Sequence, residues 1–127
     1  MANDRLTDHF SRHEFACKCK CGSDNISQEL VARLEIVRVS YDKSMHITSG
    51  LRCPTHNRSV GASPNSNHLP HTKECIGYAV DIAVDNGYDR YTLVNLLLIN
   101  FKRIGIAKNF IHVDIHPEKS APSLWCY

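Results

Sequence analysis

The stretch Tyr78-Ala79-Val80-Asp81-Ile82-Ala83-Val84 decides the fold class, because bulky apolar side chains alternate in it with small or acidic ones. Alternation with a period of two predicts a β-strand that buries one of its faces. Asp81 lies on the opposite face, between two alanines. The strand therefore presents one carboxylate away from the bulky apolar side.

A second alternating stretch runs from Phe110 to His116. Its isoleucines and valine would face the core, which puts His112, Asp114 and His116 together on the other face. Three polar side chains on one strand face need an explanation. If the two strands are antiparallel neighbours, Asp81 and His112 come together.

Around these strands the sequence predicts helices, so the fold class is α+β, with a small antiparallel sheet flanked by helices in a single domain over residues 1–127. Ser27 is a plausible N-cap for the first helix. The loop from Ala62 to Glu74 is rich in Ser, Asn, Pro and His. The other predicted elements are a helical stripe of Leu30, Leu34, Val37 and Tyr41, a strand Met45 to Ser49, a short helix from Pro54 to Gly61, and a helix Asp89 to Lys102.

The balanced charge and the short apolar runs of the chain argue against nucleic acid and membranes as binding partners. With 15 Lys plus Arg against 13 Asp plus Glu, no basic field favours nucleic acid or an anionic membrane. No apolar run reaches the ~20 residues of a membrane span, and the first residues lack the apolar core of a signal peptide. We expect a soluble monomer that is synthesised in the cytoplasm.

Six cysteines leave two interpretations open. Cys17, Cys19 and Cys21 alternate, and on an extended segment they would share one face, while the other three stand alone. Without a secretory signal, reduced thiols or metal ligation are the default. Free or partly buried thiols are the simpler interpretation, and a second, structural metal is the alternative.

His68, Asp81 and His112 are a candidate metal-binding set. A single histidine is usually a surface or satisfied core residue, but two imidazoles and a carboxylate match the three protein ligands of a catalytic zinc, whose fourth position stays open. Zinc lowers the pKa of bound water from about 15.7 to roughly 7. The expected chemistry is hydrolysis with Zn2+ as cofactor.

Four segments of the chain form a recognisable set. They are Ser49-Gly50-Leu51-Arg52 followed by Cys53-Pro54-Thr55-His56-Asn57, Ser66-Asn67-His68, Gly77-Tyr78-Ala79-Val80-Asp81, and Phe110-Ile111-His112-Val113-Asp114, with Glu14-Phe15-Ala16-Cys17 near the start. These segments resemble the zinc D-alanyl-D-alanine peptidases, the family of VanX and the phage L-alanyl-D-glutamate endolysins, whose fold also occurs in the hedgehog signalling domain. The resemblance implies that His68, Asp81 and His112 are the zinc ligands and that Arg52 binds the polarised carbonyl oxygen. For Arg52 the alternative is an ordinary surface ion pair.

The first departure from this family lies after His68. Eight residues, Leu69 to Ile76, separate His68 from Gly77, where the family normally has two. The insertion could line the substrate cleft and change its specificity. It also contains His71, a rival ligand in another register, although the residues that flank His68 favour His68.

The second departure concerns the general base. Several relatives have an acidic residue where this chain has Asn109, which cannot accept a proton from water. Asp114 is the first choice for that catalytic role. Its alternative role is to orient a histidine ligand, as carboxylates near metals commonly do. His116 could hydrogen-bond the intermediate or be merely solvated.

The residues predict a hydrolase with a metal site, and the resemblance implies a zinc metallopeptidase that cuts a peptide bond in bacterial peptidoglycan. The bond that the resemblance implies is D-Ala-D-Ala, as in a carboxypeptidase, or L-Ala-D-Glu, as in an endopeptidase, and the sequence leaves a cross-bridge open as well. We expect a lysis enzyme of a phage or prophage, or a component of the virion. Such a protein would act on the cell wall after the phage has released it from the cytoplasm. The alternative is a zinc-stabilised binding module of the same fold without turnover.

Overall fold

The computed structural model describes residues 4–71 and 75–127. A 3-10 helix, Arg12–Phe15, precedes the main elements. These elements are helices α1 (Gln28–Tyr41), α2 (Pro54–Ser59) and α3 (Gly87–Asn100), and strands β1 (Ile47–Ser49), β2 (Ala79–Ala83), β3 (Arg103–Ile106), β4 (Phe110–Asp114) and β5 (Ser123–Cys126).

The five strands form one sheet in the order β1-β2-β4-β3-β5. The predicted α+β class is confirmed, and β2 and β4 are antiparallel neighbours, the arrangement in which Asp81 and His112 are expected to meet. The sheet is mixed rather than antiparallel throughout as predicted, because β3 and β5 pair in parallel. β3 and β5 add to the predicted strands; each is only four residues long, too short for a strong periodic signal.

The predicted helices are present, with shifted ends. The Ser27 hydroxyl accepts a hydrogen bond from the Leu30 amide, so Ser27 is the N-cap of α1. α3 starts two residues earlier than predicted, because the Asn86 side chain caps it by accepting from the Asp89 amide at 2.8 Å. α2 starts at Pro54 as predicted and ends at Ser59.

One face of the sheet packs against α1 and α3, which also contact each other. Burying one large aliphatic side chain contributes about 1.5–3 kcal/mol, so this face accounts for much of the stability. The opposite face is free to hold polar groups at fixed positions. Buried members of the core include Leu30, Leu34, Val37, Val80, Ile82, Leu93, Leu97, Ile104, Ile111 and Val113.

Within residues 4–71 and 75–127, none of the helices has the length and apolar character that a membrane crossing requires.

Candidate metal centre

The register of the strands places two of the three candidate ligands, Asp81 and His112, side by side. Asp81 pairs with Ser49 on one side and with His112 on the other. His112 in turn pairs with Gly105, and Gly105 pairs with Trp125. The five residues form a row across the sheet. Backbone pairing alone therefore places the Asp81 carboxylate beside the His112 imidazole.

His68 reaches this row from the loop before β2. Its backbone carbonyl accepts from the Arg52 amide at 2.9 Å, and its own amide donates to the Ser66 hydroxyl at 3.2 Å. The His68 ring is buried and lies edge-on to the His112 ring, with 5.0 Å between centroids. Asp81 Oδ1 is 3.2 Å from His68 Nε2 and 2.9 Å from His112 Nδ1.

Outer hydrogen bonds fix which nitrogen of each imidazole faces Asp81. His68 Nδ1 must donate, because its partner is the Gly50 carbonyl at 2.8 Å. His112 Nε2 donates to the Asp114 carboxylate at 2.8 Å. In neutral imidazoles the inner nitrogens are then acceptors that face a carboxylate. Three converging acceptors need a cation or a proton between them.

The donor set fits a zinc ion. Tetrahedral zinc with ligands at about 2.0–2.1 Å places neighbouring ligand atoms about 3.3 Å apart, close to the two separations observed around Asp81 Oδ1. The ligand atoms of His68, Asp81 and His112 all lie within 4.8 Å of one another. The oxygen partners of both outer nitrogens are the supporting groups that orient histidine ligands in zinc proteins.

The charges of the cluster shift its pKa values. Burial alone would raise the pKa of Asp81, but the adjacent His112 and His68 imidazoles, which donate to Asp81 when they are protonated, hold its pKa well below the usual range. Burial would lower the pKa of His112, yet hydrogen bonds to Asp114 and Asp81 raise it. A proton on His112 and a bound cation are thus alternative ways to balance Asp81, and metal binding would release that proton.

Asp114 lies behind His112 rather than on the side that faces Asp81. It is buried, accepts from His112 Nε2, and also accepts from Arg103 Nε at 2.7 Å. Burial would raise its pKa, but these partners lower it. Asp114 does not line the cleft described next. Of its two predicted roles, this placement favours orienting His112 over accepting a proton from water.

A cleft of about 400 Å³ opens over the three candidate ligands. Arg52 lines it, and within the described residues the guanidinium has no ion pair within 4.0 Å and its buried Nε has no hydrogen-bond partner. Burial lowers the pKa of Arg52, while Asp81 opposes that shift. The cleft thus offers an unused cationic donor beside the metal ligands. Its other lining residues are Ala62, Ser63, Asn65, Ser66, Asn67, His68, Asp81, Phe110, His112 and Tyr127.

Residues 72–74 of the predicted insertion lie outside the described residues. His71 is directed to Glu118, 3.4 Å from its carboxylate, and its ring lies 5.0 Å from that of His116. These residues line a second cavity of about 250 Å³, which shares Asn65 and Ser66 with the main cleft. His71 and His116 therefore border the approach to the candidate centre.

Three residues near the centre carry no sequence prediction: Arg103, Trp125 and Tyr127. The Arg103 guanidinium lies 5.0 Å from the Trp125 ring centre and binds Asp114. The Trp125 ring is 5.5 Å from the His112 ring, and Tyr127 lines the cleft. The alternation of Trp125 and Tyr127 near the C-terminus is the signal that could have found two of them.

A protein-family model matches the chain. The family model described as Peptidase M15 matches residues 8–114, which is well over half of the chain and includes Arg52, His68, Asp81, His112 and Asp114. No curated protein matches the chain.

Proposed function

The chain belongs to the M15 family of metallopeptidases, and from that premise we propose that it is a zinc peptidase that hydrolyses a peptide bond in bacterial peptidoglycan. The observation that carries the proposal is the convergence of His68, Asp81 and His112. Their inner atoms are all acceptors, and a lined cleft lies over them. This arrangement fits a catalytic ion with an accessible face.

His68, Asp81 and His112 would hold the zinc ion, which would supply Lewis-acid chemistry that makes water a nucleophile at neutral pH. The chain's own residues set the conditions for that chemistry. Gly50 and Asp114 hold the two imidazoles so that Nε2 of His68 and Nδ1 of His112 point inward. Asp81 contributes the negative charge that makes the set selective for a cation. Asp114 is in this scheme a positioning residue.

Arg52 is proposed to stabilise the negative charge that develops on the substrate carbonyl oxygen. Its partly buried guanidinium lines the same cleft and has a donor to spare. A donor that meets charge only in the transition state accelerates the reaction rather than merely tightening binding. The backbone bond from Arg52 to His68 fixes the distance between this cation and the ligand loop.

Peptidoglycan is proposed as the substrate class from the resemblance to D-alanyl-D-alanine peptidases and phage endolysins. The cleft is compatible with it, since Asn65, Ser66 and Asn67 can hydrogen-bond a peptide backbone. The second cavity, lined by His71 and His116, extends this surface and could hold a further residue of the peptide. Both D-Ala-D-Ala and L-Ala-D-Glu bonds fit this description.

The test is hydrolysis of purified peptidoglycan by zinc-loaded protein, followed by mass spectrometry of the soluble products. We expect products that disappear with excess chelator and with His68→Ala. The matched control is His46→Ala, which removes an exposed histidine outside the cluster and should leave activity unchanged. Release of free D-alanine would identify a carboxypeptidase, and new glutamate amino termini would identify an endopeptidase.

Metal analysis of the same variants tests the ligand register. Zinc at this centre should be lost in His68→Ala and kept in His71→Ala. The reverse result would contradict the proposed ligand set and favour His71.

A binding module without turnover is the second candidate. Among the described residues that line the cleft, Asp81 is the one carboxylate, and it is already committed to the two imidazoles. Asn109 lies exposed in the turn before β4. Zinc-dependent binding to peptidoglycan, with no product on any time scale, would favour this candidate over the peptidase.

A further inference from the structure

Four cysteines converge at a point separate from the candidate centre. Cys17, Cys19 and Cys21 come from the loop that follows the 3-10 helix, and Cys53 comes from the residue before α2. Their sulfur atoms all lie within 4.8 Å of one another. Two of the separations are 3.4 Å, between Cys17 and Cys19, and 3.6 Å, between Cys19 and Cys53.

The loop is folded in a way that brings the sulfurs together. Lys20 has φ 63° and Gly22 has φ 92°, so the chain turns twice through the left-handed region within a few residues. The turn is closed by the Lys20 amide, which donates to the Cys17 carbonyl at 3.2 Å, and by the Cys17 amide, which donates to the Ser23 carbonyl at 2.8 Å. An extended strand, as alternation suggested, would not gather the three sulfurs so closely.

Backbone amides already point at two of the sulfurs. The Cys53 amide donates to Cys17 Sγ at 3.4 Å, and the His56 amide donates to Cys53 Sγ at 3.4 Å. Cys53 is the N-cap of α2, and its sulfur accepts the bond from the His56 amide in that role. Hydrogen bonds of this kind are the outer support that metal-bound ligands receive.

The sulfur spacing fits a tetrahedral metal ion better than it fits disulfides or buried thiols. A zinc ion with Zn–S bonds of about 2.3 Å places its sulfurs about 3.8 Å apart, which the cluster approaches. A disulfide needs about 2.05 Å between sulfurs, and a pair of disulfides would leave no reason for all four sulfurs to converge. Uncharged thiols packed for burial do not account for the convergence either, because Cys19 and Cys21 are exposed.

We propose that Cys17, Cys19, Cys21 and Cys53 bind a second zinc ion as four thiolates. Such a set fills all four positions of a tetrahedral zinc, so this site is closed and structural, unlike the three-ligand centre in the cleft. The proposal does not depend on the proposed peptidase activity.

The second zinc would join the N-terminal segment to the segment that carries Arg52. The two segments are already in close contact, because the Leu51 amide donates to the Phe15 carbonyl at 2.9 Å. A Cβ on Gly50 would lie 2.6 Å from that same carbonyl oxygen, so there is no space between them. A metal bridging Cys17 and Cys53 would fix both ends of this contact, and with it the position of Arg52.

The first test counts zinc on the protein purified under reducing conditions. The wild type should hold two zinc ions per chain, and His68→Ala should hold one. Titration of His68→Ala with a mercurial thiol reagent, with released zinc followed by a metal-sensitive dye, should free that zinc only as the clustered thiols react. One zinc in the wild type and none in His68→Ala would overturn the proposal.

The second test uses cysteine variants with a matched control. Cys19→Ser/Cys21→Ser should lose one zinc and keep the other, whereas Cys75→Ser/Cys126→Ser removes two exposed thiols outside the cluster and should keep both. Cobalt exchanged into His68→Ala should show thiolate-to-cobalt charge-transfer bands, which needs no cysteine variant to fold. Cobalt bands that lack charge transfer, or a disulfide within the cluster in non-reducing peptide maps of the purified protein, would refute the second site.

Discussion

Replacing Asp114 by Asn separates its two possible roles. The carboxylate accepts from His112 Nε2 through one oxygen and from Arg103 Nε through the other, at 2.8 and 2.7 Å. An amide of the same size has one acceptor oxygen and one NH2 group. Whichever way it is turned, one of the two donors then faces another donor.

The two broken contacts predict a loss of zinc affinity and a loss of stability. If the oxygen turns to Arg103, His112 loses its orienting partner, and zinc affinity at the candidate centre should fall by roughly 10- to 100-fold. That loss corresponds to about 1.4–2.8 kcal/mol of binding free energy. Breaking the buried pair with Arg103 also lowers the free energy of unfolding, by about 3 kcal/mol, the lower end of the range for buried pairs, because Arg103 keeps its bond to the Ser120 carbonyl and its contact with Trp125.

Arg103→Gln is the matched control, since it breaks the same ion pair but leaves the bond between Asp114 and His112. We expect it to lower the free energy of unfolding while zinc affinity stays close to that of the wild type. Zinc dissociation constants from competition with a chelating dye, and unfolding in urea, measure the two effects separately. Asp114→Leu, which offers His112 no acceptor in any orientation, completes the set, and a zinc affinity equal to that of Arg103→Gln in this variant would refute the orienting role. Unchanged affinity in Asp114→Asn with a rate loss of about 10²- to 10⁴-fold would instead assign Asp114 the role of general base.

Three further predictions concern other parts of the chain. Arg52→Lys should keep the fold and the bound zinc but lower kcat by about 10²–10³-fold. Lysine lacks the planar donor fork of arginine, and losing one donor to the transition state typically lowers kcat by that factor. A kcat equal to that of the wild type would leave Arg52 without a catalytic role. Gly105→Ala should lower the free energy of unfolding in urea by about 1–3 kcal/mol, since a Cβ there would lie 2.4 Å from Trp125 Nε1; an unchanged midpoint would mean that the ring moves aside freely. Asp89→Asn should destabilise the protein at pH 7 and progressively less in acid: the Lys43 ammonium holds the pKa of Asp89 below its ordinary value in the folded state, so its contribution is fully present above the unfolded pKa of about 3.9 and disappears as the pH falls through the folded pKa. A difference between variant and wild type that does not shrink as the pH is lowered below the unfolded pKa would show that the charge is not its source.

The sequence predicts which strand faces carry the residues of the centre, but it does not predict how deeply each side chain is buried. Alternation predicts that Asp81 and His112 each lie on the polar face of their strand, and they share a face of the sheet because β2 and β4 are neighbours, a pairing that alternation does not itself predict. The same alternation puts Asp114 on that face, yet it cannot tell whether the side chain reaches the cleft or is covered. That answer depends on Arg103 and on the strand beside β4.

Contacts between short segments that lie far apart in the chain could not be predicted from the sequence. β5 pairs in parallel with β3 after an intervening strand and loop, and four residues leave little periodic signal, so the approach of Trp125 to the centre was missed. Cys53 meets Cys17 across 36 residues. The turn that gathers the other cysteines depends on positive φ at Lys20, where the residue type gives no hint.

The contact between Trp125 and Gly105 also has an optical consequence. Trp125 is the chain's one tryptophan, and its ring lies 5.5 Å from that of His112 because Gly105 has no side chain to displace it. The fluorescence of Trp125 should therefore respond to metal binding at the candidate centre. A paramagnetic ion such as Cu2+ bound beside His112 should quench this fluorescence strongly, and removal of the ion by excess EDTA should restore it without any label.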